Sequence, residues 1–165
     1  MMKTIQRSPV QHSDRLGFTL LELLIVLAIM VVIAAMVVPN LIGSQQKANE
    51  DVTLATIRSI EKSPVGLWAA DHDGTYLATS NANEAWDTMM NPAPYKGRKL
   101  RPYLEEPPLD AWGRPLMYEW LKDGGHSKKP GALKPAIWSV GADGIDQGGE
   151  GDDLVNWRSF VSEGN

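Results

Sequence analysis

Residues 18–38 read FTLLELLIVLAIMVVIAAMVV, and this stretch decides how the chain is organised. It contains a single charged residue, Glu22, followed by an unbroken apolar run from Leu23 to Val38. A helix of this length rises about 31 Å, which matches the hydrocarbon thickness of a bilayer. The basic segment 1–17 comes before the apolar run. The N-terminus is therefore expected to stay in the cytoplasm while the rest of the chain crosses the membrane.

A cleaved secretory signal peptide and a plain signal anchor are two simpler interpretations of this segment. The apolar run is longer than the roughly 7–15 residues of a signal peptide, and no small-x-small cleavage site precedes Pro39. A plain anchor explains the length but not Glu22. A carboxylate among lipid-facing residues is costly unless it is paired, protonated or close to the interface.

The residues around this carboxylate, Gly17-Phe18-Thr19-Leu20-Leu21-Glu22, resemble the class III signal G-F-T-L-x-E of the type IV pilin and pseudopilin family. The resemblance implies that a prepilin peptidase removes residues 1–17 by cutting between Gly17 and Phe18, and methylates Phe18. It also implies that Glu22 neutralises the N-terminal amine of a neighbouring subunit in a filament. An ammonium and a carboxylate that are paired in a low dielectric offset each other's desolvation cost. The implied pairing of Glu22 is therefore consistent with the cost of burying a charge.

Beyond the apolar run, apolar residues recur at helical spacing and alternate with charged and amide side chains. This pattern predicts one helix from Phe18 to about Lys62 or beyond, kinked near Pro39, in which residues 39–70 form an amphipathic stem. Ser63-Pro64 could end the helix, or could be the N-cap and first-turn proline of a further helix. The family's stem usually continues unbroken here.

The segment Asp71-His72-Asp73-Gly74 comes next, at the start of a predicted globular head, residues 71–165. Two acids around a histidine could in principle hold a metal. A glycine in the left-handed conformation would instead make the segment a helix-terminating turn. The turn is the commoner use of this pattern, and the family has a similar turn at this place.

The head is predicted to contain a short helix near residues 85–90 and strands near 116–120 and 136–140. The segment Asp110-Ala111-Trp112-Gly113 before the first strand resembles an element of major pseudopilins. The chain has six tryptophans. An exposed aromatic platform would suggest carbohydrate binding, but we expect at least four of the tryptophans to pack in the core, because a small head needs large side chains.

A cluster of four basic residues lies between Tyr95 and Tyr103 in this head. Basic residues interleaved with aromatic ones could grip single-stranded nucleic acid. The chain as a whole carries a formal charge of −4, and such runs are more often solvated loops. We therefore expect no nucleic-acid partner.

The C-terminal residues 141–165 contain six acidic side chains and one basic side chain, Arg158. Five of these acids and five glycines fall between Ser139 and Leu154. Hard oxygen ligands on a glycine-rich loop suit the six to eight coordination positions of calcium. A merely solvated acidic segment is the alternative, but carboxylates packed this densely repel one another unless a cation neutralises them.

Three elements in order resemble the major pseudopilin of a type II secretion system: G-F-T-L-L-E, D-A-W-G-R-P-L-M-Y, and W-S-V-G-A-D-G with D-D-L-V-N-W. That family carries a calcium loop at the third element. The resemblance implies that the calcium ligands are the side chains of Asp143, Asp152 and Asp153 and the backbone carbonyl of Val140. The loop is about two residues longer here, so the resemblance leaves two acids that could replace one ligand: Asp146 and Glu150.

The resemblance implies an α+β, pilin-like fold, with a long N-terminal helix packed on a small antiparallel sheet. The implied function is that of a structural subunit, anchored once in the inner membrane with a periplasmic head. Its implied partners are copies of itself, minor pseudopilins, the inner-membrane assembly platform and the prepilin peptidase. We expect no enzyme, since the chain has no cysteine, nucleophile elbow, phosphate loop or dinucleotide fingerprint.

The sequence leaves two other functions open. An adhesive or DNA-uptake type IV pilin has the same N-terminal motif, but such pilins commonly close the head with a C-terminal disulfide, and this chain has no cysteine. A membrane-anchored carbohydrate-binding protein would explain the tryptophans but not the motif from Gly17 to Glu22.

Overall fold

The computed structural model describes residues 18–158, so the predicted leader and Gly17 lie outside the described residues. The chain divides into two compact units, with the division between Leu41 and Ile42. Helix α1, Leu20–Ile60, contributes its first part to one unit and its second part to the other. The predicted kink near Pro39 stays a prediction.

The described part of the first unit is the apolar part of α1 with Phe18 and Thr19 before it, and every residue from 18 to 38 is exposed. A helix that is apolar on all sides has no polar face to turn to water, so it needs lipid or apolar partners around it. Among residues 18–158, one helix is long and apolar enough to cross a membrane. The apolar segment is therefore helical, as the sequence predicts, and long enough to span a bilayer.

In the second unit the helix does not stop at Ser63-Pro64. A single π-helical turn, Glu61–Val65, follows α1 and leads directly into α2, Gly66–Asp71. Proline has no N–H to donate and its ring crowds the preceding turn, and a wider π turn is one way for a helix to accommodate both effects. Pro64 and Val65 are buried. Both predicted roles of Ser63-Pro64, a helix stop and an N-cap, were therefore wrong.

The segment after α2 is the predicted helix-terminating turn. The N–H of Gly74 donates to the carbonyl of Ala69 at 2.7 Å, and Gly74 has φ +82°, which favours glycine. The ring of His72 stacks on Trp68 with 3.9 Å between centroids, and its Nδ1 lies 2.8 Å from the Trp68 carbonyl oxygen. His72 is thus engaged by the preceding helical turn.

The two acids of this turn pair with the basic segment of the head. Lys96 Nζ lies 2.5 Å from a carboxylate oxygen of Asp73, and Arg98 Nη2 lies 2.8 Å from one of Asp71. The hydrogen bond from Lys96 lowers the pKa of Asp73. Half of the basic cluster is therefore neutralised within the chain while its side chains stay exposed, as expected for a solvated loop.

The rest of the second unit holds helix α3, Ala82–Met90, and a three-stranded antiparallel sheet in the order β1-β2-β3. The Asn81 side chain caps α3 by accepting hydrogen bonds from two backbone N–H groups. The strands are β1, Met117–Glu119, β2, Ala136–Ser139, and β3, Leu154–Val155. The predicted helix and both predicted strands are confirmed, whereas β3 was not predicted.

Apolar side chains from helices and strands form the main core on one face of the sheet. Trp86 is 1% exposed and donates its indole N–H to the Leu116 carbonyl at 2.7 Å. A smaller cluster on the other face contains Trp138 and Val155, with Trp157 packed against it. Five tryptophans belong to these two clusters, which confirms the predicted packing role: Trp68, Trp86, Trp120, Trp138 and Trp157.

Candidate assembly motif and metal-binding loop

The N-terminal end of α1 is held by a reciprocal pair of side chains, Thr19 and Glu22. The Thr19 N–H and hydroxyl both donate to Glu22 Oε2, at 2.8 and 2.9 Å. In return the Glu22 N–H donates to the Thr19 hydroxyl at 3.2 Å. This is a capping box, which satisfies N–H groups that the first helical turn leaves without partners.

The capping box gives Glu22 a local role that the sequence analysis missed. Its signature, a threonine followed three residues later by a glutamate before an apolar run, is visible in Thr19-Leu20-Leu21-Glu22. Both residues are exposed, so the carboxylate stays open to a partner from outside the chain. The predicted pairing of Glu22 with a neighbouring amine is not tested by these contacts.

The acidic loop connects the end of β2 with the start of β3, and its two limbs approach closely at Gly141. This glycine has φ +63°, and a Cβ there would overlap the backbone and carboxylate of Asp152. A residue with a side chain would therefore force the two limbs apart. Val140, the predicted carbonyl ligand, lies next to this close approach in the chain.

Two of the predicted ligands, Asp143 and Asp152, meet across this approach. The N–H of Asp143 donates to Asp152 Oδ2 at 2.9 Å. This hydrogen bond is the main reason that the pKa of Asp152 lies below its ordinary value. Asp143 in turn accepts from the Ile145 N–H at 2.8 Å through Oδ1. Asp143 and Asp152 are thus neighbours, although they lie nine positions apart in sequence.

The third predicted ligand, Asp153, is buried beneath the loop, with 4% of its surface exposed. Its Oδ2 accepts from the N–H groups of Gln147 and Gly149, at 3.0 and 2.7 Å. Burial raises the pKa of Asp153, and the charges of Asp146 and Asp152 raise it further. The ionised form of Asp153 is therefore destabilised, and a cation bound nearby would stabilise it.

The remaining oxygens of these acids indicate whether a cation fits. Oδ1 of Asp152 and Oδ1 of Asp153 are buried and have no hydrogen-bond partner. Buried polar atoms are rarely left unpaired, so each of these oxygens is expected to take a water molecule or a cation as its partner. Across residues 18–158, however, no three His, Cys, Asp or Glu side chains are arranged to hold a metal ion. The other carboxylate oxygens already accept three bonds from backbone N–H groups, one at Asp152 and two at Asp153, so binding requires a local rearrangement.

The two acids predicted as substitutes face elsewhere. Asp146 Oδ1 accepts from the Trp138 indole N–H at 3.0 Å and from the Gly148 N–H at 2.9 Å. Glu150 forms an ion pair with Arg158 at 3.2 Å on the surface. Asp146 joins the loop to the small core cluster, although its charge still acts on Asp153, and Glu150 pairs with Arg158 at the surface.

A buried carboxylate that the sequence analysis did not single out, Asp110, supports the base of the loop. Its Oδ1 accepts from the N–H groups of Trp112 and Arg114, both at 2.9 Å, and its Oδ2 accepts from the Ser139 hydroxyl at 2.7 Å. Ser139 also accepts from the Gly141 N–H at 3.2 Å. Asp110 thereby joins the turn before β1 to the first residues of the loop.

Arg114 makes a second connection from the same turn to the loop. Its Nη2 donates to the Ala142 carbonyl at 3.0 Å, and Gly144 leaves room for the guanidinium. Sequence reasoning missed Arg114 because nothing local relates it to a residue 28 positions away. Only the pairing of β1 with β2 brings the two together.

Comparison with known proteins gives two family matches. Residues 12–38 match the prokaryotic N-terminal methylation motif, and residues 40–157 match the family described as type II secretion system (T2SS), protein G. The second match covers the stem, the sheet and the acidic loop. It favours the secretion family over an adhesive or DNA-uptake pilin and over a carbohydrate-binding module.

Individual relatives agree with these matches. The chain is 32% identical to the type II secretion system core protein G of Aeromonas hydrophila over 90% of this chain and 96% of the relative. It is 34% identical to the proteins of the same name from Vibrio cholerae, over 86% of this chain and 91% of the relative, and from Pectobacterium carotovorum, over 86% and 84%. The chain therefore belongs to the type II secretion system protein G family.

Proposed function

We propose that this chain is the major structural subunit of a type II secretion pseudopilus, a filament that helps to move folded proteins across the outer membrane. The observation that carries the proposal is the protein G match over residues 40–157, joined in one chain to the methylation motif and the apolar helix. The role is mechanical. We infer no catalytic activity, so an assembly ATPase in the cytoplasm would supply the energy.

The N-terminal motif would act in two steps. The prepilin peptidase would cut between Gly17 and Phe18 and methylate Phe18, leaving the apolar helix in the mature subunit. Glu22 would then pair with the new N-terminal amine of a neighbouring subunit. In lipid or in a filament core either charge alone is penalised, so the pair selects for the correct axial position of each incoming helix.

The partners follow from this role. The mature subunit would polymerise with copies of itself, with minor pseudopilins as further subunits and with the inner-membrane platform as the place of assembly. The chain would cross the inner membrane once, with the N-terminus in the cytoplasm and the head in the periplasm. The basic residues before the apolar run support this orientation.

The loop between β2 and β3 would bind calcium. Asp143, Asp152 and Asp153 would supply carboxylate oxygens and Val140 its backbone carbonyl. The support is the pair of buried, unpartnered oxygens on Asp152 and Asp153, together with the close approach of Asp143. When bound, calcium supplies positive charge to a site where carboxylates repel one another. It would hold β3 against β2 and stabilise the folded head by binding only the native state.

Deletion of the chain in its host tests the proposed function. We expect exported proteins to accumulate in the periplasm and the wild-type chain to restore their secretion. Mass spectrometry of the mature protein should find a chain that begins at methylated Phe18. Normal secretion in the deletion strain, or a mature chain that still begins at Met1, would contradict the proposal.

A further inference from the structure

The loop contains a polar side chain between its acids that neither the sequence nor the family match assigns to the metal site. Gln147 donates its backbone N–H to Asp153 Oδ2 at 3.0 Å and its side-chain Nε2 to Asp143 Oδ2 at 3.1 Å. One residue thus contacts the first and the last of the predicted ligands. Neither Asp146 nor Glu150 does so, because their carboxylates face Trp138 and Arg158.

The fold makes room for this amide at Gly151. A Cβ on Gly151 would overlap the Oε1 atom of Gln147, so the amide occupies space that only a glycine leaves open. The φ of Gly151, +56°, is also in the left-handed region. The position of the Gln147 side chain is therefore fixed by the same turn that brings Asp152 and Asp153 back towards Asp143.

We infer that Gln147 supplies a neutral side-chain oxygen to the calcium ion. The inference rests on the proposed calcium binding and adds a ligand to it. Two oxygens that bind one calcium at about 2.3–2.6 Å lie about 3 Å apart when they are neighbours in the coordination shell. The amide of Gln147 already lies at that separation from Asp143 Oδ2.

Charge explains which end of the amide faces Asp143. A carboxylate without a cation attracts a donor, so the NH₂ group points at it. With calcium on the carboxylate, the amide oxygen becomes the favoured end, and a rotation of about 180° exchanges two atoms of similar size. The buried Oδ1 of Asp153, which has no partner, belongs to the carboxylate whose Oδ2 accepts from the Gln147 backbone N–H, and it would supply a further oxygen.

A neutral ligand here also limits the charge of the site. Three aspartates already bring three negative charges, and calcium affinity rises with the number of charged ligands. Gln147→Glu adds a fourth carboxylate at the same place and should tighten calcium binding. Gln147→Ala removes the ligand and should weaken it.

The test uses the full chain in detergent and measures calcium affinity by isothermal titration calorimetry. We expect Gln147→Ala to weaken binding about tenfold and Gln147→Glu to tighten it by about as much. The matched control is Glu150→Gln, which removes a charge from an exposed side chain of the same loop and should leave the affinity within about twofold of the wild-type value.

A second measurement separates a ligand from a residue that only shapes the loop. Terbium, a hard cation that can stand in for calcium, reports bound water through its luminescence lifetime in H₂O and D₂O. Gln147→Ala should admit about one more water to the ion. Its melting temperature in chelator should stay close to that of the wild type.

The outcomes distinguish the two proposals. If the wild-type chain binds no calcium, the proposed calcium site fails and this inference fails with it. If the wild type binds calcium and Gln147→Ala binds it equally well, only the role of Gln147 is wrong. An unchanged water count, with a melting temperature that falls as much in chelator as in calcium, would make Gln147 a structural residue and also overturn the inference.

Discussion

The first turn of α1 and the loop between β2 and β3 both hold a carboxylate through hydrogen bonds. The two carboxylates differ in their exposure and in whether an oxygen remains without a partner. Glu22 is bound by Thr19 from its own helix start and is exposed. Asp153 is bound by two loop N–H groups, is buried, and keeps one oxygen without any partner. The partner of Glu22 can therefore come from another molecule, whereas the partner of Asp153 has to be small enough to enter the loop.

Glu22 and Asp153 also differ in whether their interaction within the chain or loop requires the negative charge or only an acceptor oxygen. At Glu22 the cap needs only an acceptor oxygen, so an amide can replace the carboxylate there without loss of the cap. At Asp153 a cation needs the negative charge itself. Substitutions that keep the shape and remove the charge are therefore the sharpest way to examine both regions.

The largest effect is expected at Glu22. Glu22→Gln keeps an acceptor for Thr19 but has no charge to pair with an amine, so it should abolish incorporation into filaments as completely as Glu22→Ala. Electron microscopy of sheared pseudopili after overexpression measures incorporation, and mass spectrometry should find normal processing in both variants. Gly17→Leu should instead stop cleavage.

Filaments formed by Glu22→Gln but not by Glu22→Ala would contradict the pairing role, because the capping box alone would then explain the glutamate. Thr19→Ser provides the matched control, since serine caps helices about as well as threonine. It should assemble normally.

Asp110 offers a carboxylate whose acceptors are all used within the chain, in contrast to Asp153. It is 6% exposed, and Asp110→Ala would leave a buried donor on Ser139 and half-buried donors on Trp112 and Arg114 without partners. We expect a loss of about 3 kcal/mol in the free energy of unfolding. Urea denaturation followed by tryptophan fluorescence measures it.

The loss should be the same in calcium and in chelator, because Asp110 binds backbone and hydroxyl groups rather than the ion. Asp123→Ala, on an exposed loop, is the control and should change stability by less than about 0.5 kcal/mol. If Asp110→Ala lowered the free energy of unfolding in calcium but not in chelator, Asp110 would belong to the metal site. It would then not differ from Asp153 in the way described.

Calcium itself should contribute slightly less than Asp110. At a concentration about a hundred times its dissociation constant, a ligand that binds only the folded chain adds about 2.7 kcal/mol, which corresponds to roughly 5–11 °C in melting temperature. The double variant Asp152→Asn with Asp153→Asn should lose this gain. In chelator it should be about as stable as the wild type, because asparagine retains an acceptor for the loop N–H groups.

Thermal melting of the full chain in detergent, followed by tryptophan fluorescence, compares the two proteins with calcium and with chelator. A wild-type melting temperature that calcium does not change would contradict the proposed site. So would a double variant that still gains stability from calcium.

The sequence predicted the features that depend on local pattern. Hydrophobic periodicity predicted the long helix, and the alternation of Leu116, Tyr118 and Trp120 predicted β1. The sequence pattern did not predict β3, because two residues are too few for a pattern. Their pairing with Trp138 and Ser139 depends on the long loop that brings them back beside β2. The acids of the loop were identified from composition, but their contacts were not.

The helix boundary at Ser63-Pro64 shows the same limit. A serine followed by a proline is a local signal for a helix end or start. Burial of Pro64 and Val65 against the core overrides this signal, so the helix continues through a π turn instead. Gln147 was missed for a similar reason: its role depends on which residues the loop brings back to Asp143, and no spacing rule describes that.

The smallest effect concerns a titratable group near the loop that is neutral rather than charged. His126 is 6% exposed, its ring lies 5.4 Å from that of Trp157, and its Nδ1 accepts from the Lys128 N–H at 3.2 Å. Burial lowers the pKa of His126, and nearby Lys128 and Lys129 lower it further, while Glu119 opposes them. The folded chain therefore binds a proton less readily than the unfolded chain.

Because the pKa of His126 is lower in the folded than in the unfolded state, the head is predicted to lose stability as the pH falls. Above about pH 6.5 both states are neutral at His126, and below it the unfolded state takes up the proton first, so stability falls until the pH reaches the folded pKa. From pH 7.5 to 5.5 we expect a loss of about 0.5–1 kcal/mol from His126. His126→Gln keeps an acceptor for Lys128 but does not titrate, so its stability should fall less. Urea denaturation in saturating calcium at both pH values measures the difference, and most carboxylates stay ionised across this range. Equal losses in the wild type and in His126→Gln would show that the pH dependence comes from elsewhere, the acidic loop included.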